Sequence, residues 1–268
     1  MRIHIGYELI FQTIAPTPML LCLWLRPERM ADLEQPETIV VEPFAPVELF
    51  TDMFGNRCGR IVAPAGRVRF FYDNVCRDTG LAELHGFNAI QHPVNLLPND
   101  VLPFLLASRY CEVEKFADLA WQLFGSIGEG WRRVQAVVDW VHSNIQFGYE
   151  FARATRTAWE TYQERRGVCR DFMHLSIAFL RALNVPCRYA TGYLGDIGVP
   201  PVDLPMDFSA CFEVYLGNRW WTLDSRHNQA RVGRIHMACG RDAVDVALTT
   251  SFGQARLEKF RVWTNELR

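Results

Sequence analysis

One cysteine of this sequence sits where a thiol can become a nucleophile. Cys169 lies in the run Arg165-Arg166-Gly167-Val168-Cys169-Arg170-Asp171-Phe172, where Gly167 ends one helical pattern and Cys169 opens the next. A thiol at a helix N-terminus faces unpaired N–H groups and the positive end of the macrodipole. Both lower its pKa and favour the attacking thiolate. Arg166 and Arg170 add positive charge nearby in sequence. On this reading Cys169 alkylates at pH 6–7 faster than the other cysteines. The competing description is a buried cysteine that happens to start a core helix. A nucleophilic thiol also needs a base.

A second chemical feature is a hairpin. Ser209-Ala210-Cys211-Phe212-Glu213-Val214-Tyr215-Leu216 leads through Gly217-Asn218 into Arg219-Trp220-Trp221-Thr222-Leu223-Asp224. A two-residue Gly-Asn loop pairs Leu216 with Arg219, which sets Asp224 opposite Cys211. Ser209 is one step along the same face. Diagonal neighbours in such a pair are about 7–8 Å apart, so an imidazole at 209 would be within reach of Asp224. The residue there is Ser.

Gly-Val-Cys-Arg-Asp-Phe, then Asn-Val-Pro-Cys-Arg-Tyr-Ala-Thr-Gly-Tyr-Leu, then the Ser209–Asp224 hairpin together resemble the transglutaminase-like superfamily, in particular its bacterial cysteine-protease branch. The resemblance covers about residues 90–268, and the segment before it is similar to the N-terminal β domain that accompanies this core in bacterial members. It implies a nucleophilic Cys at the start of the core helix, here Cys169, and an orienting acid, here Asp224. The family's His falls on Ser209, where the usual His-Ala-Trp reads Ser-Ala-Cys. A hydroxyl is no base near neutral pH, whereas an imidazole is.

Three readings of that departure stay open. The first is a relocated imidazole, His227, three residues past the acid in Asp224-Ser225-Arg226-His227-Asn228. A straight strand would point it to the opposite face. A turn after Ser225 would bring its ring to Asp224 and to the side of Cys169. The second is a pseudoenzyme that keeps a protein- or peptide-binding role. The third is a low-activity enzyme whose thiolate forms without a paired base. The leading function is thiol-dependent acyl transfer on an amide or peptide bond, hydrolytic or transamidating. Ser209, Trp221 and Arg170 are the candidate substrate-binding residues, with only one of Trp220 and Trp221 able to face a cleft.

The other histidines offer less. His174 lies about 140° round the helix from Cys169. His236 falls in a strand, His142 on the polar side of a helix, and His4, His85 and His92 outside the core. Each is read as structural or solvated. Asp242 and Asp245 read as a turn. No Cys-x-x-Cys, zinc spacing, phosphate loop or dinucleotide fingerprint occurs, so no metal and no cofactor is expected.

With 28 Lys plus Arg against 30 Asp plus Glu, the net charge of −2 gives no pull towards phosphate backbones, and nucleic acid is not an expected partner. The longest apolar run, Met19 to Leu25, is too short for a spanning helix. No secretory signal opens the sequence, and the eight cysteines are expected as reduced thiols in a cytoplasmic protein. The expected partner is a protein or peptide substrate, with no membrane.

These groups must be positioned by an α+β chain. Ile3, Ile5, Tyr7, Leu9 and Phe11 alternate, as do Val68, Phe70 and Tyr72, and residues 1–88 read as an antiparallel β domain. Met19–Leu25 fits a strand buried on both faces. Prolines break up residues 89–108. Helical stripes follow at Phe116, Leu119, Ala120 and Leu123, and at Trp131, Val134, Val137, Val138, Val141 and Ile145. A third helix spans about 158–166. A fourth, apolar nearly all round, runs from Cys169 to before Pro186. Strands at 188–192, 210–216, 219–224 and 257–264 complete a papain/transglutaminase-like core over 89–268.

Overall fold

The structure is a computed structural model describing residues 1–202 and 205–267; residue 268, the end of the expected core, lies outside them. The alternation of the first segment makes a long strand, β1 (Arg2–Thr13), whose Ile3, Ile5, Tyr7, Leu9 and Phe11 are all buried. It is followed by β2 (Thr17–Leu21), β3 (Val40–Glu42), β4 (Glu48–Thr51), β5 (Arg57–Ala63) and β6 (Gly66–Arg77). The apolar run forms a ladder only as far as Leu21; Cys22 to Leu25 are buried without continuing the strand.

The helical part contains α1 (Ala117–Phe124), α2 (Trp131–Asn144), the short strand β7 (Gln146–Phe147), α3 (Ala158–Glu164), the short strand β8 (Arg166–Gly167) and α4 (Cys169–Ala182). The last strands are β9 (Cys187–Tyr193), β10 (Ser209–Leu216), β11 (Arg219–Leu223), β12 (Ile235–Gly240), β13 (Thr249–Ser251) and β14 (Ala255–Leu267). In α1 the buried positions are Phe116, Ala120 and Phe124, spaced by four, while Leu123 is exposed, so the expected stripe is rotated. The stripe of α2 is buried at all six expected positions.

Three four-stranded antiparallel sheets result, ordered β14-β1-β6-β3, β13-β2-β5-β4 and β11-β10-β9-β12. The final strands depart from the expected domain plan. Residues 249–267 fall in the segment assigned to the core, yet β14 pairs with β1 along its length and β13 pairs with β2. The chain thus returns to cover the open edge of the N-terminal sheets, which would otherwise expose unpaired N–H and C=O groups. One strand of periodicity cannot reveal which edge it joins.

Helix α4 is the centre of the second half. Every residue from Asp171 to Arg181 is buried. On one side it meets α1, α2 and α3, on the other β9 and β10. Phe179 anchors that contact through Phe116, Phe124 and Trp140, with ring centroids 4.9, 5.4 and 5.3 Å away. The first residue of this rigid helix is Cys169, so its sulfur inherits a fixed position. Among the described residues no helix is long and apolar enough to cross a membrane.

Candidate active site

The segment before Cys169 is built to start α4 abruptly. Thr157 and Glu160 cap the start of α3 reciprocally, and α3 ends at Arg165 in the left-handed conformation (φ 56°) rather than at Gly167. Gly167 has a different task. A Cβ there would lie 2.6 Å from Cβ of Asp171. That space lets the Asp171 carboxylate fold back and accept the Val168 N–H at 3.0 Å, which closes the first turn of α4. Asp171 is fully buried and is neutralised by Arg156 at 3.2 Å.

Cys169 is half-buried, whereas the other seven cysteines are buried. Its thiol is not acidified as the sequence suggests. Burial pushes its pKa up, and the Ala210 backbone N–H and the charge of Arg226 only partly oppose that. The two arginines expected to help are engaged elsewhere. Arg166 lies over the Phe151 ring, and Arg170 donates to the carbonyls of Arg153 and Ala154. A thiol in this state requires a base to take its proton.

The turn that carries His227 follows the hairpin. Gly217 and Asn218 both adopt positive φ, 58° and 63°, and set the register Leu216↔Arg219 and Phe212↔Leu223, as the sequence indicates. Beyond β11 the chain turns. Oδ1 of Asp224 accepts the N–H groups of Arg226 (3.0 Å) and His227 (3.2 Å). Oδ2 accepts from Nδ1 of His227 at 2.8 Å and from Arg234 at 3.0 Å. The ring of His227 therefore lies on Asp224, as a turn after Ser225 requires. A carboxylate only accepts, so Nδ1 carries a proton, and in the neutral ring the lone pair is then at Nε2.

Two helices hold this turn. From α4, Ser176 shares a 2.9 Å hydrogen bond with Ser225, and Ser225 donates to the Phe172 carbonyl. From α2, Nδ1 of His142 donates to the carbonyls of Ser225 (3.2 Å) and Arg226 (3.0 Å). Gln135 and Asp139 of α2 hydrogen-bond Asn228 at 3.0 and 2.9 Å. His142, read as structural or solvated, touches the backbone of the turn that carries His227.

Asp224 is buried, which alone would raise its pKa. The hydrogen bond from His227 and the charge of Arg234 outweigh that, and the carboxyl sits below the ordinary range. Arg234, itself buried, is shared with Glu83. Removing one partner of a buried pair strands the other charge, so Arg234→Leu is expected to cost about 3–5 kcal/mol. The sign with pH follows. A depressed folded pKa gives stability that is full above the unfolded value of about 3.9 and is lost as pH falls through the folded value. Without Arg234 the folded value rises towards the unfolded one, so the variant loses less stability on acidification and completes that loss at a higher pH. Urea midpoints of both proteins at pH 3 and pH 7 check this; an equal wild-type and variant pH response contradicts it.

Cys169, His227, Ser209 and Arg226 line one cavity, with Tyr149 and Asp207. A second cavity of about 520 Å³ shares Cys169, Tyr149, Asp207 and Phe208 with the first and has Arg170 in its wall. Trp221 lines neither: it packs against Trp131, its indole N–H donates to the Leu216 carbonyl, and Arg219 covers its ring. It belongs to the core, and the substrate role expected for it does not fit its position. Among the described residues no group of three or more His, Cys, Asp or Glu is placed to hold a metal ion.

Comparison with known proteins identifies the family. The model of the transglutaminase-like superfamily matches residues 118–225. A crystal structure of a "putative cysteine protease" from Cytophaga hutchinsonii is similar over 100% of this chain and 91% of that one, with 32% identity and a TM-score of 0.86. The chain belongs to the transglutaminase-like superfamily. An uncharacterized protein of Mycobacterium leprae is 28% identical over 119 residues, 43% of this chain and 42% of that protein, so the match spans under half of that relative. The periplasmic domain of TgpA from Pseudomonas aeruginosa is more distant, with 12% identity, coverage of 84% and 88%, and a TM-score of 0.42.

The remaining predicted residues of this transglutaminase-like chain fall as follows. Ser209 begins β10, opposite Gly192 of β9, and faces the cavity of Cys169. His174 is buried, accepts the Ala243 N–H at 3.1 Å and stacks on Tyr110. His236 lies in β12 with Nε2 3.5 Å from the Cys211 sulfur. Asp242 and Asp245 do form a turn, but Asp242 is fully buried and accepts the Tyr110 and Val244 N–H groups. Sequence reasoning missed Arg234, Glu83, Arg226, Tyr149 and Asp207. Arg234 left a trace as a charged residue just before the apolar strand β12, and Arg226 as part of the polar run after Asp224.

Proposed function

We propose that this chain carries out thiol-dependent acyl transfer on an amide or peptide bond, as a peptidase, amidase or transamidase. One juxtaposition supports the reading: Cys169 and an imidazole held by Asp224 line the same cavity. In this reading His227 replaces the imidazole that the family places at Ser209. Nε2 of His227 takes the Cys169 proton as sulfur attacks the carbonyl carbon. Asp224 fixes the ring and stabilises the imidazolium. The N–H of Cys169, at the start of α4, donates to the developing oxyanion. The C–N bond breaks, the amine leaves with the proton from Nε2, and water or a second amine resolves the thioester.

The substrate in this reading is a protein or peptide, with no cofactor. The cytoplasm is the proposed compartment, since all eight cysteines are free thiols, the state a reducing environment maintains. Iodoacetamide tests the nucleophile. Cys169, the half-buried thiol, is expected to label before the seven buried ones, and amide turnover is expected to fall in step with its labelling. Full labelling of Cys169 with turnover intact, or labelling with no turnover to lose on any amide, favours the pseudoenzyme.

His142 gives a finer prediction. It holds the turn of His227 by a donor at Nδ1. His142→Leu is expected to lower kcat about tenfold, the worth of roughly one such hydrogen bond, with little change in KM. His142→Asn keeps an N–H at the same place and is expected to restore most of the rate. If Asn is as poor as Leu, the turn is not held in this way.

A further inference from the structure

Cys169 stands at the junction of two cavities whose linings differ. The one containing His227 has a mixed lining, with Ser209, Arg226 and Arg231 beside Leu194, Met206 and Phe208. The guanidinium of Arg226 sits 3.7 Å over the Phe147 ring and has no carboxylate partner among the described residues. Arg231 is buried there, and its Nε has no hydrogen-bond partner. Asp196 is 3.7 Å from Arg231 but also accepts the Val202 N–H. Asp207 faces both cavities and does not distinguish them.

The other cavity lacks His227. It is floored by small apolar side chains, Ala210, Ala243, Val246, Ala247 and Leu248. Its two arginines each have a carboxylate partner, although their Nε atoms, like that of Arg231, have no hydrogen-bond partner. Arg153 pairs with Glu160 and Glu164, and Arg170 is bound to backbone carbonyls and to Asp171.

We infer that the cleft has a fixed polarity: the apolar cavity takes an aliphatic acyl portion, and the cavity of Arg226 takes a leaving amine that carries a carboxylate. The inference rests on the acyl-transfer reading. When the C–N bond breaks, the nitrogen must collect its proton from Nε2 of His227, so the amine lies on the side of that ring. The acyl group stays on the Cys169 sulfur and extends the other way, over Ala243 and Ala247. An apolar floor there favours methylene groups. On the amine side an unpaired guanidinium favours a carboxylate through a charge-assisted hydrogen bond.

Acetyl-, butyryl- and hexanoyl-glycine, with the matching acyl-glycinamides, test this. Wild-type kcat/KM is expected to rise about fourfold or less per added methylene of the acyl chain. Glycine as leaving group is expected to exceed glycinamide about tenfold or more. Ala247→Phe fills the apolar cavity and is expected to flatten the chain-length dependence without changing the glycine-to-glycinamide ratio. Arg226→Gln is expected to do the reverse. Both readouts are ratios, so a general loss of activity does not mimic them. A rate independent of chain length, or the two variants exchanging their effects, overturns the polarity. Acylation of Cys169 without these ratios overturns the polarity alone. No acylation of Cys169 by any of the six compounds overturns the acyl-transfer reading with it.

Discussion

Cys169→Ala is expected to reduce amide turnover by about 10⁴-fold or more, to the level of whatever binding and backbone donors supply without a nucleophile. The expectation comes from the placement of the thiol. It is the first residue of α4, half-buried, at the meeting of both cavities. The substitution is structurally mild: alanine is the best helix former, and the Asp171-to-Val168 bond that starts α4 does not involve the sulfur. Thermal midpoint should therefore move little while the rate collapses. A variant that keeps a tenth of the wild-type rate shows that the sulfur does not form the thioester.

The second large effect concerns the base. His227→Ala is expected to lower kcat by about 10²–10⁴, the range for a lost general base. The pH dependence should change as well. Without the imidazole, the rate must follow ionisation of Cys169 itself. Burial has raised that pKa, so activity should climb only above the usual thiol range. Ser209→His supplies the opposite test, because it puts an imidazole at the family's customary place. With His227 present it should add little. If it creates activity where the native chain has none, and His227→Ala changes nothing, then His227 is not the base and the pseudoenzyme describes the native chain.

Much of this site was legible in the sequence because local rules governed it. Gly217-Asn218 fixed the hairpin register, and register fixed where Asp224 emerges. The polar run after Asp224 indicated a turn, and the turn brought His227 back to the acid. The electrostatics of Cys169 were not legible. A helix start and two neighbouring arginines pointed to an acidic thiol, but the direction of each side chain is set by tertiary contacts. Phe151 takes Arg166, two carbonyls take Arg170, and burial decides the thiol. Arg234 reaches Asp224 from 10 residues on, and Glu83 pairs with that arginine from about 150 residues before it, which spacing along the chain does not encode. The return of β14 to β1 was hidden for the same reason: alternation shows a strand but not its partner. His142 read as a surface residue because its contacts are backbone carbonyls, which have no sequence signature.

The central claim is that the Cys169 sulfur becomes acylated with His227 as its base. Quenching a reaction with hexanoyl-glycine in acid and mapping peptides by mass spectrometry reads it directly. The account predicts a hexanoyl adduct on the Cys169 peptide of the wild-type protein, none on the seven other cysteines, and at least a hundredfold slower formation in His227→Ala. An adduct on another residue, or one that forms on Cys169 equally fast without His227, would contradict it.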